Sequence, residues 1–116
     1  MKNIVFDSFA LIALLEKEKG HEEVSQLLSE IANGEMHGLI CVINLGEIYY
    51  ISHRKRGEEK AALALSSVLH FPIEIVEADF QLTYAAAQLK AGYKLSYADA
   101  FAAALTIKKK GILITG

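Results

Sequence analysis

Asn3-Ile4-Val5-Phe6-Asp7-Ser8 (residues 3–8) runs from three consecutive large apolar residues straight into an acid and a serine. An unbroken apolar run predicts a short strand covered on both faces, as in a parallel sheet. Working outward, Ser8 to about Lys19 predicts a helix with Leu11, Leu14 and Leu15 on one face and Gly20 as its stop. His21 to Ala32 predicts a second, in which Val24, Leu27, Leu28 and Ile31 follow the helical period before Asn33-Gly34 ends it. Gly38 to Val42 predicts a second strand, Asn44 to about Arg56 a third helix ending at Gly57, and Glu58 to Leu69 a fourth. Pro72 then breaks the pattern, and Ile73 to Glu77 alternates as a third strand. Asp79 to Ala91 and Ser96 to Lys110 predict two more helices, stopped by Gly92 and Gly111, and Ile112 to Thr115 a last strand. Strands alternating with helices predict an α/β fold: a three-layer α/β/α domain around a central parallel sheet of about four strands.

The 116 residues suit a single domain, and 53% apolar residues suit a packed core rather than a disordered chain. A formal net charge of −2 excludes a strongly basic surface as a global property and leaves room for local basic patches. One cysteine, Cys41, excludes an internal disulfide framework and points to a reducing compartment. Its apolar neighbours, Leu39-Ile40 and Val42-Ile43, mark it as a small core residue. No apolar run approaches a membrane span, and Met1-Lys2-Asn3 does not open a signal peptide. A cytoplasmic protein with no membrane partner is the expectation.

Three acids interrupt this apolar framework. Asp7 ends the first strand, Glu47 lies in Val42-Ile43-Asn44-Leu45-Gly46-Glu47-Ile48, and Asp99 lies in Leu95-Ser96-Tyr97-Ala98-Asp99-Ala100-Phe101. A desolvated carboxylate must be paired, hydrogen-bonded, neutralised or metal-bound. In parallel α/β folds, sites form at the carboxyl edge of the strands, beside the N-termini of the following helices. All three acids occupy such places. Together they predict a carboxylate cluster that calls for a divalent cation.

Each acid also has a plain structural reading. Asn44-x-x-Glu47 and Ser96-x-x-Asp99 fit capping boxes, Asp7 fits an N-cap for the helix near Ser8, and Asp79 fits an N-cap and nothing more. The alanine-rich run Ala98 to Leu105 weighs against that reading for Asp99, because a helix apolar on nearly every side is buried. The basic runs His53-Arg54-Lys55-Arg56 and Lys108-Lys109-Lys110 suit either solvated helix ends or RNA phosphates. Tyr49, Tyr50, Tyr93 and Tyr97 suit either packing or base stacking.

With these segments in order, the chain resembles the PIN domain, in particular the VapC-type toxins of prokaryotic toxin–antitoxin pairs. The matching pieces are Ile4-Val5-Phe6-Asp7-Ser8 with Ala10 to Leu15, then Asn44-Leu45-Gly46-Glu47-Ile48-Tyr49-Tyr50, Leu95-Ser96-Tyr97-Ala98-Asp99-Ala100, and Ile112 to Gly116. The resemblance implies an Mg²⁺- or Mn²⁺-dependent endoribonuclease. Asp7, Glu47 and Asp99 match the family's first three acidic positions, so they would be catalytic, with Asp7 and Asp99 as metal ligands. Ser8 and Asn44 match the polar positions beside them and would position the substrate. The implied partners are an RNA substrate, a small antitoxin and a second copy of the chain.

In the family the Thr-Gly pair after the last strand is followed by a fourth acid and a short tail; the sequence stops at Gly116. The alternative is therefore a non-catalytic PIN-like scaffold that binds RNA or antitoxin. A response-regulator receiver fails for want of an acid pair after the first strand and of any Asp between Asp7 and Asp79. An Asp-x-Asp phosphatase fails because Phe9 occupies its second position.

Overall fold

The computed structural model describes residues 1–116. Its elements alternate: β1 (Lys2–Phe6), α1 (Ser8–Leu15), α2 (His21–Ala32), β2 (Met36–Cys41), α3 (Val42–Arg56), α4 (Glu58–Leu69), β3 (Ile73–Val76), α5 (Phe80–Gly92), α6 (Tyr97–Lys109) and β4 (Ile112–Ile114). The four strands form one parallel sheet in the order β3-β2-β1-β4. Val5 lies opposite Leu39 on one side and Leu113 on the other, so β1 is central. The chain moves outward from β1 to β2 and β3, then returns to the far side of β1. That reversal opens a crevice between β1 and β4 at their carboxyl ends, where α/β folds place ligands.

Side-chain alternation along the strands divides the core in two. Ile4, Phe6 and Ile40 pack with Leu11, Val24, Leu28, Ile48 and Val68 on the α1–α4 side. Val5, Leu39 and Cys41 pack with Leu82, Ala86, Phe101 and Leu105 on the α5–α6 side. The result is the expected three layers. Small residues Ala100, Ala102 and Ala104 are buried along α6 and let that helix lie close to its neighbours. Cys41 is fully buried, and burial pushes its thiol pKa up, as fits a packing residue. No helix is long and apolar enough to cross a membrane.

Helix ends account for most differences from the sequence reading. α1 stops at Leu15 rather than Lys19. Lys17 takes the left-handed conformation (φ 53°), while the Glu18 and Lys17 amides donate to Ala13 O (2.8 Å) and Leu14 O (3.3 Å). This hydrogen-bond pair ends a helix without glycine at the left-handed position. Gly20 instead precedes α2. At the end of α6, Lys110 takes the left-handed conformation (φ 51°), and the Gly111 amide donates to Thr106 O (2.9 Å).

Gly111 has another function. A Cβ there would sit 2.6 Å from Asn3 O, a main-chain atom of β1. Gly38 is also tight, but its Cβ would meet the side-chain ends Ile31 Cδ1 (2.7 Å) and Ile73 Cγ2 (2.8 Å), which have freedom to move. Overpacking costs typically about 1–3 kcal/mol, and least where neighbours yield. Gly111→Ala is therefore expected to lower the urea midpoint more than Gly38→Ala, with a loss of about 2–3 kcal/mol against about 1. Equal losses would show that β1 yields as readily as two isoleucine tips.

Candidate active site

The carboxyl edge of the sheet carries the three acids on three different elements. Asp7 continues the ladder beyond β1: its amide donates to Ile114 O at 3.1 Å. Its side chain then caps α1, with Oδ1 accepting from the Ala10 amide at 2.8 Å. Glu47 sits in the second turn of α3 and Asp99 in the first turn of α6. Asp7 and Glu47 are only 5% and 8% exposed, whereas Asp99 is half-buried. Asp7, Asp99 and Thr115 share a cleft of about 360 Å³ with Phe9, Leu95 and Leu113.

Hydrogen bonds join the elements that carry the acids. Asn44 Nδ2 donates to Ser8 Oγ at 3.3 Å and to Ala98 O at 3.1 Å, tying α3 to both α1 and α6. Ser8 Oγ donates a short bond to Glu47 Oε1 and also lies 3.1 Å from Asn44 O. Tyr50 Oη donates to Glu47 Oε2 at 3.3 Å. Asn44 is fully buried, and its Oδ1 has no partner.

This arrangement corrects one sequence expectation. Asn44 does not open a capping box with Glu47. α3 begins two residues earlier, at Val42, behind Cys41, and that start has no side-chain cap. The Asn44 amide is drawn inward to Ser8 and Ala98 instead. Ser96 does cap α6, accepting from the Asp99 amide at 3.1 Å, and Asp79 caps α5 through the Leu82 amide at 2.8 Å. The sequence offers Tyr50 for packing or base stacking, with no sign of a partner. Its bond to Glu47 follows from the three-residue spacing on a helix, which places both side chains on one face.

No ion pair involves Asp7, Glu47 or Asp99. The two ion pairs, His37–Glu74 and Arg56–Glu16, lie elsewhere. The Asp99 carboxylate has no hydrogen-bond partner of its own. Burial pushes the Asp7 pKa up, and the nearby Asp99 and Glu47 charges push it further, against the lowering effect of the Ala10 amide. As they stand, no three His, Cys, Asp or Glu side chains are gathered closely enough to hold a metal ion.

A raised native pKa means that ionised Asp7 costs stability. Its contribution is most favourable below the ordinary value of 3.8 and is lost as pH rises through the native value. Asn keeps the cap and removes the charge. Without divalent metal, Asp7→Asn should melt above the parent at pH 7, and the gap should close as pH falls towards the ordinary carboxylate range. Thermal unfolding at several pH values checks this; a parent that melts higher at pH 7 would contradict the burial argument.

Comparison with known proteins bears on the fold. The chain superimposes on VapC20 of Mycobacterium tuberculosis, described as a Sarcin-Ricin loop cleaving toxin, with TM-score 0.72 and 18% identity over 93% of this chain and 84% of that one. VapBC2 of Rickettsia felis, solved on a DNA fragment from its promoter, gives TM-score 0.74 and 17% identity over 97% and 86%. A toxin–antitoxin complex from Klebsiella pneumoniae gives 0.66 and 24% over 97% and 84%. No curated protein sequence matches the chain. The family model of the PIN domain matches residues 4–116, and the chain belongs to that family.

Proposed function

We propose that this protein is a ribonuclease toxin that hydrolyses RNA phosphodiester bonds with Mg²⁺ or Mn²⁺. It acts in the cytoplasm as a homodimer and is silenced by a small antitoxin. The observation that carries this reading is that Asp7 and Asp99 open on one cleft, with Glu47 near enough for its charge to act on Asp7 and no ion pair to any of the three. Likeness to a loop-cleaving toxin and to toxin–antitoxin complexes supports it.

The donor set fits a hard cation. Asp7 and Asp99 open on the same cleft and offer only oxygen, and Asp99 has no competing partner. Mg²⁺ is held through one or two carboxylates and keeps several waters, so two protein ligands suffice. Such an ion supplies a more acidic water and offsets charge on the phosphoryl oxygens. Ser8 and Tyr50 hold the two Glu47 oxygens. Glu47 is thereby fixed to orient the attacking water and to accept its proton. Asn44 keeps Ser8 and the start of α6 in place.

The second reading, a scaffold that binds RNA or antitoxin without turnover, is favoured by one observation: no three acidic side chains stand close enough to cage an ion unaided. Activity decides between them. On a panel of single-stranded RNAs with Mg²⁺ or Mn²⁺, Asp7→Asn and Asp99→Asn should lose about 100-fold or more of the parent rate, several kcal/mol of charge stabilisation. Asn44→Ala, which acts through Ser8, should lose roughly 10- to 100-fold. A parent no faster than Asp7→Asn establishes the scaffold. In the same samples, millimolar Mg²⁺ should raise the parent's melting temperature and leave Asp99→Asn nearly unmoved.

The dimer reading rests on exposed apolar side chains. Phe80 and Tyr84 stack in parallel on α5, 6.2 Å apart, and Ile107 on α6 and Ile112 on β4 are also exposed. Ala85, Leu89, Ala104 and Ile107 line a groove of about 360 Å³. Sedimentation at micromolar concentration should show a dimer, and Ile107→Asp should shift it towards monomer. A monomeric parent contradicts the dimer.

A further inference from the structure

A second cleft lies away from the acids, where the end of α1 meets α3 and α4. It encloses about 220 Å³, and Glu16, Ser52, Arg56, Lys60 and Ser67 form its polar side. Leu15 and Leu63 supply an apolar wall. The eight residues of α1, roughly 12 Å of helix, separate it from the Asp7 end of that helix. Ser52 is the informative residue. It is only 5% exposed, yet its hydroxyl has no hydrogen-bond partner. A serine or threonine within a helix commonly bonds back to the carbonyl four residues earlier, as Thr106 does to Ala102 O at 2.8 Å. Ser52 does not. Its oxygen is not sealed in the core either, because Asn44 Oδ1 is the one sealed side-chain atom without a partner. The free hydroxyl therefore opens on the cleft. Cations stand beside it. Arg56 has five donors and uses one on Glu16, at 3.4 Å. Lys60 has no ion pair. Glu16, with its side chain 10% exposed, is the single acid of the lining. Two cations against one acid leave an excess positive charge in a chain that is negative as a whole.

We propose that this cleft binds a phosphate group, either free phosphate or the terminal monoester of a small organic phosphate. The inference is independent of the nuclease reading. Hydroxyl donors, a guanidinium fork and an ammonium point charge are the chemistry that recognises phosphate oxygens. Water can satisfy the Ser52 hydroxyl, but it cannot balance the excess charge beside it. Donors on several sides of one cleft suit tetrahedral oxygens better than a carboxylate, which has two oxygens and is already represented by Glu16. The cleft is smaller than the roughly 300–1,000 Å³ of pockets that enclose drug-sized ligands, so it encloses only a small anion. Glu16 opposes such a ligand and competes for Arg56. Its removal should therefore strengthen binding, a response that a purely structural cluster has no reason to give.

Binding is read from amide chemical shifts of the full chain, titrated with inorganic phosphate at constant ionic strength and without divalent metal. Shifts should centre on Glu16, Ser52, Arg56 and Lys60 and saturate with a Kd on the order of 1 mM. Ser52→Ala and Arg56→Gln should each weaken binding about tenfold or more, as for the loss of one hydrogen bond to a charged group. Lys60→Gln removes an exposed charge without disturbing the core and should weaken binding several-fold. Glu16→Gln should tighten it several-fold. Uridine monophosphate distinguishes the sources: tighter binding than phosphate assigns the cleft to an organic monoester, and weaker binding assigns it to the free anion. A dinucleotide with no terminal phosphate should leave these residues unmoved. Thermal melting of every variant reports whether it is folded. The site is overturned if phosphate gives no saturable shift at these residues, or if folded Ser52→Ala and Lys60→Gln bind like the parent. It is equally overturned if Glu16→Gln binds no tighter, or if the dinucleotide binds as well as phosphate. RNA cleavage enters none of these readings, so failure of the nuclease reading leaves them intact.

Discussion

One buried amide holds the candidate site together. Asn44 Nδ2 reaches Ser8 on α1 and Ala98 on α6 from its own place on α3, so a single side chain spans the three elements that carry the acids. The acids themselves repel, and a native state that gathers them needs attractive contacts of comparable strength nearby. Buried hydrogen bonds supply these, because a low local dielectric strengthens a satisfied bond and makes a broken one expensive. The unpartnered Asn44 Oδ1 shows that satisfaction stops short of complete. The amide is oriented for the sake of its donors, at a cost to its acceptor.

The sheet does the coarser positioning. Because β4 returns beside β1 and not beyond β3, the cleft opens where the chain reverses, and Asp7 and Thr115 face it from adjacent strand ends. Gly111 permits that return by letting the turn after α6 lie against the β1 backbone. A buried, alanine-rich α6 then brings Asp99 down to the sheet instead of leaving it on a solvated flank. Packing thus determines where the carboxylates stand, and hydrogen bonding determines how Asp7 and Glu47 point.

Much of this was legible in the sequence. Ile4-Val5-Phe6 announced a strand covered on both faces, and that strand is central. The order of the alternating helices and strands is legible because apolar period and length are local properties. What escaped was decided between distant residues. Asn44 has the right spacing for a cap, and its inward turn depends on Ser8 and Ala98, which lie 36 and 54 residues away. The lysines that close α1 and α6 escaped because glycines stood nearby and lysine is a rare left-handed residue. Tyr50 was visible as an aromatic and invisible as a partner of Glu47 until α3 was known to continue through both.

Asp7 is at once the first residue of a helix's hydrogen bonding and a member of the carboxylate cluster. These two duties place different demands on sequence drift. The cap needs a short side chain with an acceptor, which Asn or Ser also provides; the cluster needs the negative charge, which only an acid provides. A lineage released from the second duty would keep the first. Descendants of this fold that abandoned chemistry for binding would therefore carry Asn or Ser at this position more often than Ala. The residue found there would record which duty was lost, long after the activity itself had gone.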